Sequence, residues 1–269
     1  MPTARVNGID LHYQELGSPT APPLCLVMGW GGNHTAWALQ TAAFSEDYRV
    51  ITFDNRGAGQ SEAPDVPYTI AGMADDALGL LDCLGVTSAH VCGVSMGGMI
   101  AQEIALRQPD RVLTLGLHCT LARPDAYGAF LVRQLLHVRA RDREEFERTL
   151  VPWLFSRKTV ARHPELVELF IERALDYPFP TGLVGLTRQA EALGSHDTLD
   201  RLARIRVPTL ITVGADDILV PPSFSQDIHA QMSTSELVVI PDAGHLHFME
   251  QFQRFNELCL GFLGKHRGT

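Results

Sequence analysis

The sequence predicts an α/β fold with a mostly parallel, twisted sheet, helices on both faces and an amino-terminal antiparallel hairpin. Short continuous apolar runs, which suit parallel strands buried on both faces, are each followed by a turn and a helical pattern. This alternation stops between residues 121 and 199, where prolines interrupt helical patterns and no convincing strand occurs. We therefore expect a core domain of residues 1–120 and 200–269 with a helical insertion at 121–199.

The individual elements follow from local patterns. Residues 5–13 alternate on both sides of Asn7-Gly8, a pair that accepts the positive φ of a two-residue turn, so this stretch predicts the hairpin. A helix should begin after Thr69, whose hydroxyl can cap it, and end at Gly85, because the apolar residues between them keep helical spacing. The other predictions are strands at 24–27, 50–53, 89–92, 112–117, 209–213 and 237–240, and helices at about 96–108, 222–231 and 247–262.

Composition and charge narrow the class of protein. With 269 residues, of which 45% are hydrophobic, the chain can bury a large core. A net charge of -9 disfavours both nucleic acid and anionic lipid as partners, so we expect a small-molecule partner. The five cysteines lack C-x-x-C spacing, and neither a signal peptide nor an apolar run of about 18 residues is evident. We expect a cytoplasmic protein with reduced thiols.

Ser95 lies in the motif G-V-S-M-G-G at 93–98, between a predicted strand and a predicted helix. In that context G-x-S-x-G describes a nucleophile elbow, in which the serine takes strained backbone angles and its neighbours must be small. The turn would lift the serine hydroxyl above the carboxyl edge of the sheet. It would also place the hydroxyl at the amino end of the helix, where backbone N–H groups face a developing negative charge.

A nucleophilic serine needs a base, and the base needs a carboxylate that holds it in the right tautomer. Asp216 and Asp217 follow the predicted strand 209–213, and His245 follows the predicted strand 237–240. Loops after parallel strands meet at one edge of the sheet. We predict Asp217 as the acid and His245 as the base, with Asp216 as the rival acid. The loop after the neighbouring strand reads H-C-T and offers no carboxylate.

An oxyanion hole needs the N–H after the nucleophile and a second N–H from an early glycine-rich loop. The segment M-G-W-G-G at 28–32 follows the first predicted core strand, where such a loop is expected. We predict the backbone amides of Trp30 and Met96 as the two donors.

On these motifs the chain resembles the α/β-hydrolase superfamily over nearly its whole length apart from the insertion. The segment F-D-N-R-G-A-G-Q-S at 53–61 matches one that is common in the superfamily after the fourth strand. The resemblance implies the α/β-hydrolase fold, with Ser95, Asp217 and His245 as catalytic residues. It also implies that the insertion at 121–199 is a helical cap over the active site.

Two loops lead to further expectations, the oxyanion loop and the loop that contains Asp54 and Arg56. The oxyanion loop often begins His-Gly in this superfamily, and here it begins Met28-Gly29. Because the donor is a backbone amide, we expect the change to alter how the loop is braced more than whether it can donate. Asp54 and Arg56 are expected to form a buried ion pair that braces their loop.

Together these parts predict acyl transfer to water without a cofactor, and a carboxylic ester or lactone as substrate. Serine rather than aspartate at the elbow argues against dehalogenase and epoxide hydrolase chemistry. A carbon–carbon bond hydrolase and a cofactor-free perhydrolase are alternatives on the same residues, and a ligand-binding receptor is the alternative from another class. His245 and His247 form an H-x-H pair, but no third ligand is evident, so we predict no metal site.

The predicted substrate pocket consists of apolar side chains from the insertion and from the loops that carry the acid and the base. Such side chains either line an acyl pocket or pack the cap against the sheet, and the sequence favours neither role. They are Trp153, Phe155, Phe179, Leu219 and Leu246.

Overall fold

A computed structural model describes residues 2–266 of the chain, and within that range it contains one sheet of eight strands. The predicted hairpin is present, and Asn7 and Gly8 form its turn with φ angles of 46° and 81°. Every other predicted strand is present too, with ends shifted by at most about two residues. The strands are β1 (Thr3–Val6), β2 (Ile9–Leu16), β3 (Pro23–Val27), β4 (Arg49–Phe53), β5 (Ala89–Val94), β6 (Val112–His118), β7 (Thr209–Gly214) and β8 (Ser235–Ile240).

The sheet has the order β1-β2-β4-β3-β5-β6-β7-β8. β2 is antiparallel to both β1 and β4, and all later neighbours are parallel. After β3 the chain moves to β4 on one side and then returns to β5 on the other. In open parallel sheets such a reversal leaves a crevice at the carboxyl ends of the strands, and ligands bind there.

The helices also follow the predicted order. The hydroxyl of Thr69 accepts a hydrogen bond from the amide of Gly72 at 2.9 Å and caps α2. The helix predicted at 247–262 is two helices, because Gln251 leaves helical angles at φ −122° and ψ 44°. The helices are α1 (Ala38–Phe44), α2 (Ile70–Cys83), α3 (Met96–Arg107), α4 (Ala126–Arg141), α5 (Arg143–Leu154), α6 (Arg157–Arg162), α7 (Pro164–Asp176), α8 (Leu183–Gly194), α9 (Pro222–Gln231), α10 (His247–Glu250) and α11 (Phe252–Lys265).

Apolar side chains are buried on both faces of the sheet. One cluster packs α2 and α3 against the strands, with Ile51, Met73 and Ile100 among its members. The other packs α1 and α11 against the opposite face, with Phe44 and Phe255 among its members. This arrangement explains why the strands read as continuous apolar runs. Within residues 2–266, no helix combines the length and apolar character that a membrane crossing requires.

Five helices, α4 to α8, lie between β6 and β7, and we call them the cap helices. Apolar side chains of α4, α5 and α8 form a separate cluster, the cap cluster, whereas Val167 and Ile171 of α7 belong to the cluster on the α1 and α11 face of the sheet. Trp30 and Leu219, from loops at the carboxyl edge of the sheet, pack against it. The cap helices are therefore attached to the edge where the predicted site residues lie. The buried members of the cap cluster are Leu131, Leu135, Phe146 and Leu186.

The predicted ion pair between Asp54 and Arg56 is wrong. The guanidinium of Arg56 instead donates to the Asp76 carboxylate of α2 at 2.5 and 2.6 Å. Asp54 accepts hydrogen bonds from the ring Nδ1 of His34 and from the amide of Gln60, each at 2.8 Å. The reason is tertiary: α2 brings a buried carboxylate against the loop, which the sequence spacing does not reveal.

Candidate active site

Ser95 occupies the turn between β5 and α3 with φ 56° and ψ −120°. A positive φ is unfavourable for a residue with a side chain, so this is a strained position. A Cβ on Gly93 would lie 2.1 Å from the carbonyl oxygen of Gly97, and one on Gly97 would lie 2.1 Å from the carbonyl oxygen of Val27. The glycines are therefore required by the close approach of strand, turn and helix, as the motif predicts.

His245 and Asp217 lie side by side at the same edge. The ring Nδ1 of His245 is 2.8 Å from Oδ2 of Asp217, and the two side chains are 4% and 0% exposed. The other oxygen of Asp217 accepts hydrogen bonds from the amides of Leu219 at 3.0 Å and Val220 at 2.8 Å. Asp216, the rival acid, is exposed. The geometry thus places Asp217, and not its neighbour, beside the imidazole.

The electrostatics of this pair favour a protonated imidazole. Burial alone lowers the pKa of His245, but the attraction and hydrogen bond of the Asp217 carboxylate, with a further contribution from the neighbouring sulfur of Cys119, outweigh burial. The pKa of His245 therefore stands well above its ordinary value of 6.5.

Cys119 is a neighbour of this pair that the sequence analysis does not identify. Its thiol, a ring nitrogen of His245 and a carboxylate oxygen of Asp217 all lie within 4.8 Å of one another. Cys119 follows β6, has φ 40° and is fully buried. Burial raises the pKa of its thiol, so this neighbour is neutral. The sequence feature that could have identified Cys119 is its position directly after β6, the strand between β5 and β7.

Three side chains that could in principle bind a metal ion lie together on the β2 and β4 side of the site. Ligand atoms of His12, His34 and Asp54 lie within 4.8 Å of one another, and all three residues are buried. Both oxygens of Asp54 already accept N–H hydrogen bonds, from His34 at 2.7 and 2.8 Å and from Gln60 at 2.8 Å. These bonds satisfy the carboxylate and brace the loop without an ion.

His247 is committed to a different network from His245. Its Nε2 is 2.8 Å from the hydroxyl of Thr212, which is in turn 2.8 Å from Nδ1 of His118. Burial lowers the pKa of His247 to about 4 and that of His118 well below 6.5, so both rings are neutral. His247 is thus held in a buried network with Thr212 and His118, while His245 is held by Asp217.

The predicted oxyanion loop lies against Ser95. A Cβ on Gly29 would lie 3.1 Å from Cβ and 3.7 Å from Oγ of Ser95, so the loop backbone contacts the serine directly. Within residues 2–266, the amides of Trp30 and Met96 donate to no protein acceptor. The start of the loop is held by Asn55, whose Nδ2 donates to the carbonyl of Met28 at 2.8 Å.

The five predicted pocket residues do not share one location. Trp153 and Leu219 pack against the cap cluster, together with Trp30 of the oxyanion loop. Phe155 and Leu246 are buried in the cluster on the α1 and α11 face of the sheet. Phe179 is 46% exposed. Only the first two therefore lie in the cap cluster that contacts the oxyanion loop.

The loop that carries His245 is joined to the cap helices through Glu250. One carboxylate oxygen of Glu250 accepts from the amide of Gly244 at 2.6 Å, and the other accepts from the amide and hydroxyl of Ser156 at 3.0 and 2.8 Å. The amide of Leu246 also donates to the carbonyl of Leu154 at 2.9 Å. A buried histidine loop is thus fixed to the end of α5 and the start of α6.

Comparisons with known proteins agree with this architecture. The sequence pattern of the alpha/beta hydrolase fold family matches residues 22–252. The carbamate hydrolase named RutD from Azorhizobium caulinodans is 32% identical, with 98% of this chain and 99% of the relative covered. The 3-oxoadipate enol-lactonase 2 of Acinetobacter baylyi is 31% identical, with 94% and 93% covered. A thermophilic esterase from Thermogutta terrifontis superimposes with a TM-score of 0.88 at 31% identity, with 99% and 100% covered.

The family match spans well over half of the chain, and relatives above 30% identity cover almost all of it. The eight-stranded sheet with its antiparallel start agrees with the same family. The chain belongs to the α/β-hydrolase fold family and is an enzyme of the hydrolase class.

Proposed function

We propose that this enzyme is a serine hydrolase that cleaves a carboxylic ester or a lactone through an acyl-enzyme on Ser95. The observation that carries the proposal is the buried pair of His245 and Asp217, 2.8 Å apart, at the sheet edge where Ser95 occupies a strained turn. A strained serine and a carboxylate-bound imidazole at one edge are the parts that nucleophilic acyl transfer needs.

In the first half of the proposed reaction, Oγ of Ser95 attacks the carbonyl carbon and Nε2 of His245 takes the serine proton. Nε2 has this role because Nδ1 is occupied by Asp217. Asp217 holds the ring in place and stabilises the imidazolium that forms. The amides of Trp30 and Met96 stabilise the negative charge on the carbonyl oxygen, since neither has another acceptor within residues 2–266.

In the second half, His245 protonates the leaving alkoxide, and the alcohol departs from an ester or stays tethered when a lactone opens. His245 then removes a proton from water, which attacks the acyl-enzyme, and returns that proton to Oγ of Ser95 as the carboxylic acid is released. The cycle uses water and needs no cofactor.

The relatives and the apolar surroundings support this substrate class. The relatives carry the names esterase, enol-lactonase and carbamate hydrolase, all of which describe attack at an acyl carbon. We propose that residues 121–199 cap a core of residues 1–120 and 200–269. We further propose that Trp153 and Leu219, next to Trp30, form the apolar wall of the substrate pocket.

The test is hydrolysis of p-nitrophenyl butyrate and of γ-butyrolactone by the parent, Ser95→Ala and Asp217→Asn. We expect multiple turnovers by the parent and a fall in kcat of about 10⁴-fold or more in both variants, as for other hydrolases with this set of residues. Asp216→Asn is the matched control, since its carboxylate is exposed, and it should keep parental activity.

Three results would contradict the proposal. They are retained turnover in Ser95→Ala, release of product by the parent only once per bound molecule as in a receptor, and an impairment of Asp216→Asn equal to that of Asp217→Asn. Parental activity on vinylogous diketones or in peracid formation, with none on esters or lactones, would instead support the carbon–carbon hydrolase or the perhydrolase.

A further inference from the structure

The cap helices hold the oxyanion loop at its centre, on Gly31. The amide of Gly31 donates to Oε1 of Gln189 in α8 at 2.9 Å, and its carbonyl accepts from the hydroxyl of Thr181 at 2.8 Å. The indole of Trp30 donates to the carbonyl of Leu186 at 2.9 Å. Both polar groups of one loop residue are therefore occupied by side chains from the segment that the sequence places more than a hundred residues away.

Gln189 is oriented by two bonds that require opposite ends of its amide. Its Oε1 faces a donor, the amide of Gly31, and its Nε2 donates to the carbonyl of Arg56 at 2.8 Å. Because neither backbone partner can exchange roles, the network fixes which end of the side chain is oxygen. Gln189 is fully buried, so both bonds are shielded from water.

The backbone of α8 approaches the loop closely enough to make this contact rigid. A Cβ on Gly185 would lie 1.8 Å from the carbonyl oxygen of Gly57, so the helix rests directly on the segment after β4. Gly185 and Gln189 are four residues apart and face the same side of α8. The docking of the helix at the glycine thus sets the position of the glutamine.

The position of Gly31 in turn constrains Trp30. The amide that Gln189 binds belongs to the peptide plane between Trp30 and Gly31, and the proposed oxyanion donor is the amide of the plane before it. The two planes share the α-carbon of Trp30, so with one plane fixed the donor amide can turn only through φ and ψ of Trp30, which sterics restrict to a few regions. Gly31 has φ 69°, a conformation that glycine adopts easily. Because glycine is also more flexible than other residues, the loop needs an anchor at this position.

We infer that Gln189, a residue of the cap helices, is a positioning residue that holds the Trp30 amide in line with the reacting carbonyl oxygen. The inference rests on the proposed function, in which that amide binds the oxyanion. It also answers how a loop that begins Met28-Gly29 is braced: the support comes from α8 and Thr181, in addition to Asn55 at its start.

The test compares Gln189→Met with Gln102→Met. Methionine has a similar volume and makes neither hydrogen bond. Gln102 is a matched control: it is also fully buried and uses both ends of its amide, with the carbonyl of Leu121 at 3.1 Å and the hydroxyl of Thr198 at 2.5 Å, and neither partner belongs to the oxyanion loop. Both variants lose two buried hydrogen bonds, so their stabilities should fall alike.

The readouts are kcat/KM for p-nitrophenyl butyrate, affinity for butylboronic acid, which forms a tetrahedral adduct on the serine, and affinity for p-nitrophenyl butyl ether, which cannot. In Gln189→Met we expect kcat/KM and boronate affinity to fall together by at least about tenfold, less than the ~10²–10³ for outright loss of a donor. Affinity for the ether should change by less than about twofold, because it has no oxyanion to stabilise. In Gln102→Met all three should stay near parental values.

Equal effects of the two variants, or equal losses for the boronate and the ether, would overturn the inference. If Gln189→Met does not fold, Thr181→Val removes the other anchor on Gly31 and should show the same selective loss of boronate affinity; a parental value would overturn the inference. Activity that survives in Ser95→Ala would refute the proposed function itself. Activity that depends on Ser95 with no selective effect at Gln189 would refute only the positioning role.

Discussion

The carboxylate of Asp217 is held by three hydrogen-bond partners. One oxygen accepts the amides of Leu219 and Val220, and the other faces Nδ1 of His245. The two amides fix the carboxylate, and the carboxylate fixes the ring. A buried imidazole held this way is easier to protonate than a free one, which has a measurable consequence for the rate.

We expect the rate to fall on the acidic side with a midpoint above pH 6.5. A base works only when unprotonated, and the pKa of His245 is raised, so activity is lost as the pH falls through that raised value. The measurement is kcat/KM from pH 5 to 9.5. In Asp217→Asn the residual activity should have its midpoint at lower pH, because the attraction that raises the pKa is gone. A flat profile, or a midpoint at or below 6.5 in the parent, would contradict this.

Among the elements, α10 connects the loop of His245, the proposed base, to the cap helices. Glu250 at its end accepts three hydrogen bonds, one from the histidine loop and two from Ser156, and a charged acceptor makes each of them stronger than a neutral one. The position of His245 therefore depends on where α5 ends and α6 begins.

Glu250→Ala should destabilise the protein by about 2–3 kcal/mol, because it leaves buried donors without an acceptor. It should also lower kcat/KM by roughly tenfold, because the histidine loop loses its support. Urea unfolding and ester kinetics measure the two effects. Lys158→Met is the control: its ion pair with Asp242 joins the same segments but is exposed, so its loss should cost about 0–1 kcal/mol. Equal behaviour of the two variants would contradict the role of Glu250.

The contact between α2 and the loop after β4 depends on one ion pair. Arg56 is 13% exposed and Asp76 is 2% exposed. Removing one partner of such a pair strands the other charge, so Asp76→Ala should lower the free energy of unfolding by about 3–5 kcal/mol. Asp75→Ala is the matched control, since this neighbour forms an exposed pair with Arg107 and should cost about 0–1 kcal/mol. The measurement is urea unfolding of both variants. Similar losses in the free energy of unfolding would contradict the prediction.

On the scale of the whole molecule, the fold protects its thiols unevenly. Cys83 is exposed, and the other four cysteines are buried. Burial also raises the pKa of Cys25 and of Cys92 to about 12, which removes the reactive thiolate. We expect one thiol per chain to react rapidly with Ellman's reagent in the native protein and five after unfolding, with the rapid phase absent in Cys83→Ser. Rapid native modification of Cys119 would contradict this.

The strands of the sheet could be predicted from the sequence, because buried parallel strands are continuous apolar runs. The sequence also identified Ser95, Asp217 and His245 as candidates, because each follows a strand. It could not identify partners that meet only in the folded chain: Gln189 and Glu250 belong to helices whose patterns show amphipathicity but not which backbone they reach. For the same reason Asp54 was paired wrongly, and an aromatic residue such as Phe155 could equally face a pocket or the core.

The backbone contact between Gly185 and Gly57 has a consequence for directed evolution of this enzyme. A Cβ at Gly185 would clash with the carbonyl oxygen of Gly57, so position 185 should stay glycine in any library. Leu131 of α4 and Phe146 of α5 belong to the cap cluster, and Trp153 of α5 packs against it. These side chains lie on other helices than Gly185. If the proposed pocket is correct, libraries for new acyl groups should vary residues of α4 and α5 and keep Gly185 unchanged, because that glycine fixes how α8 sits on the core.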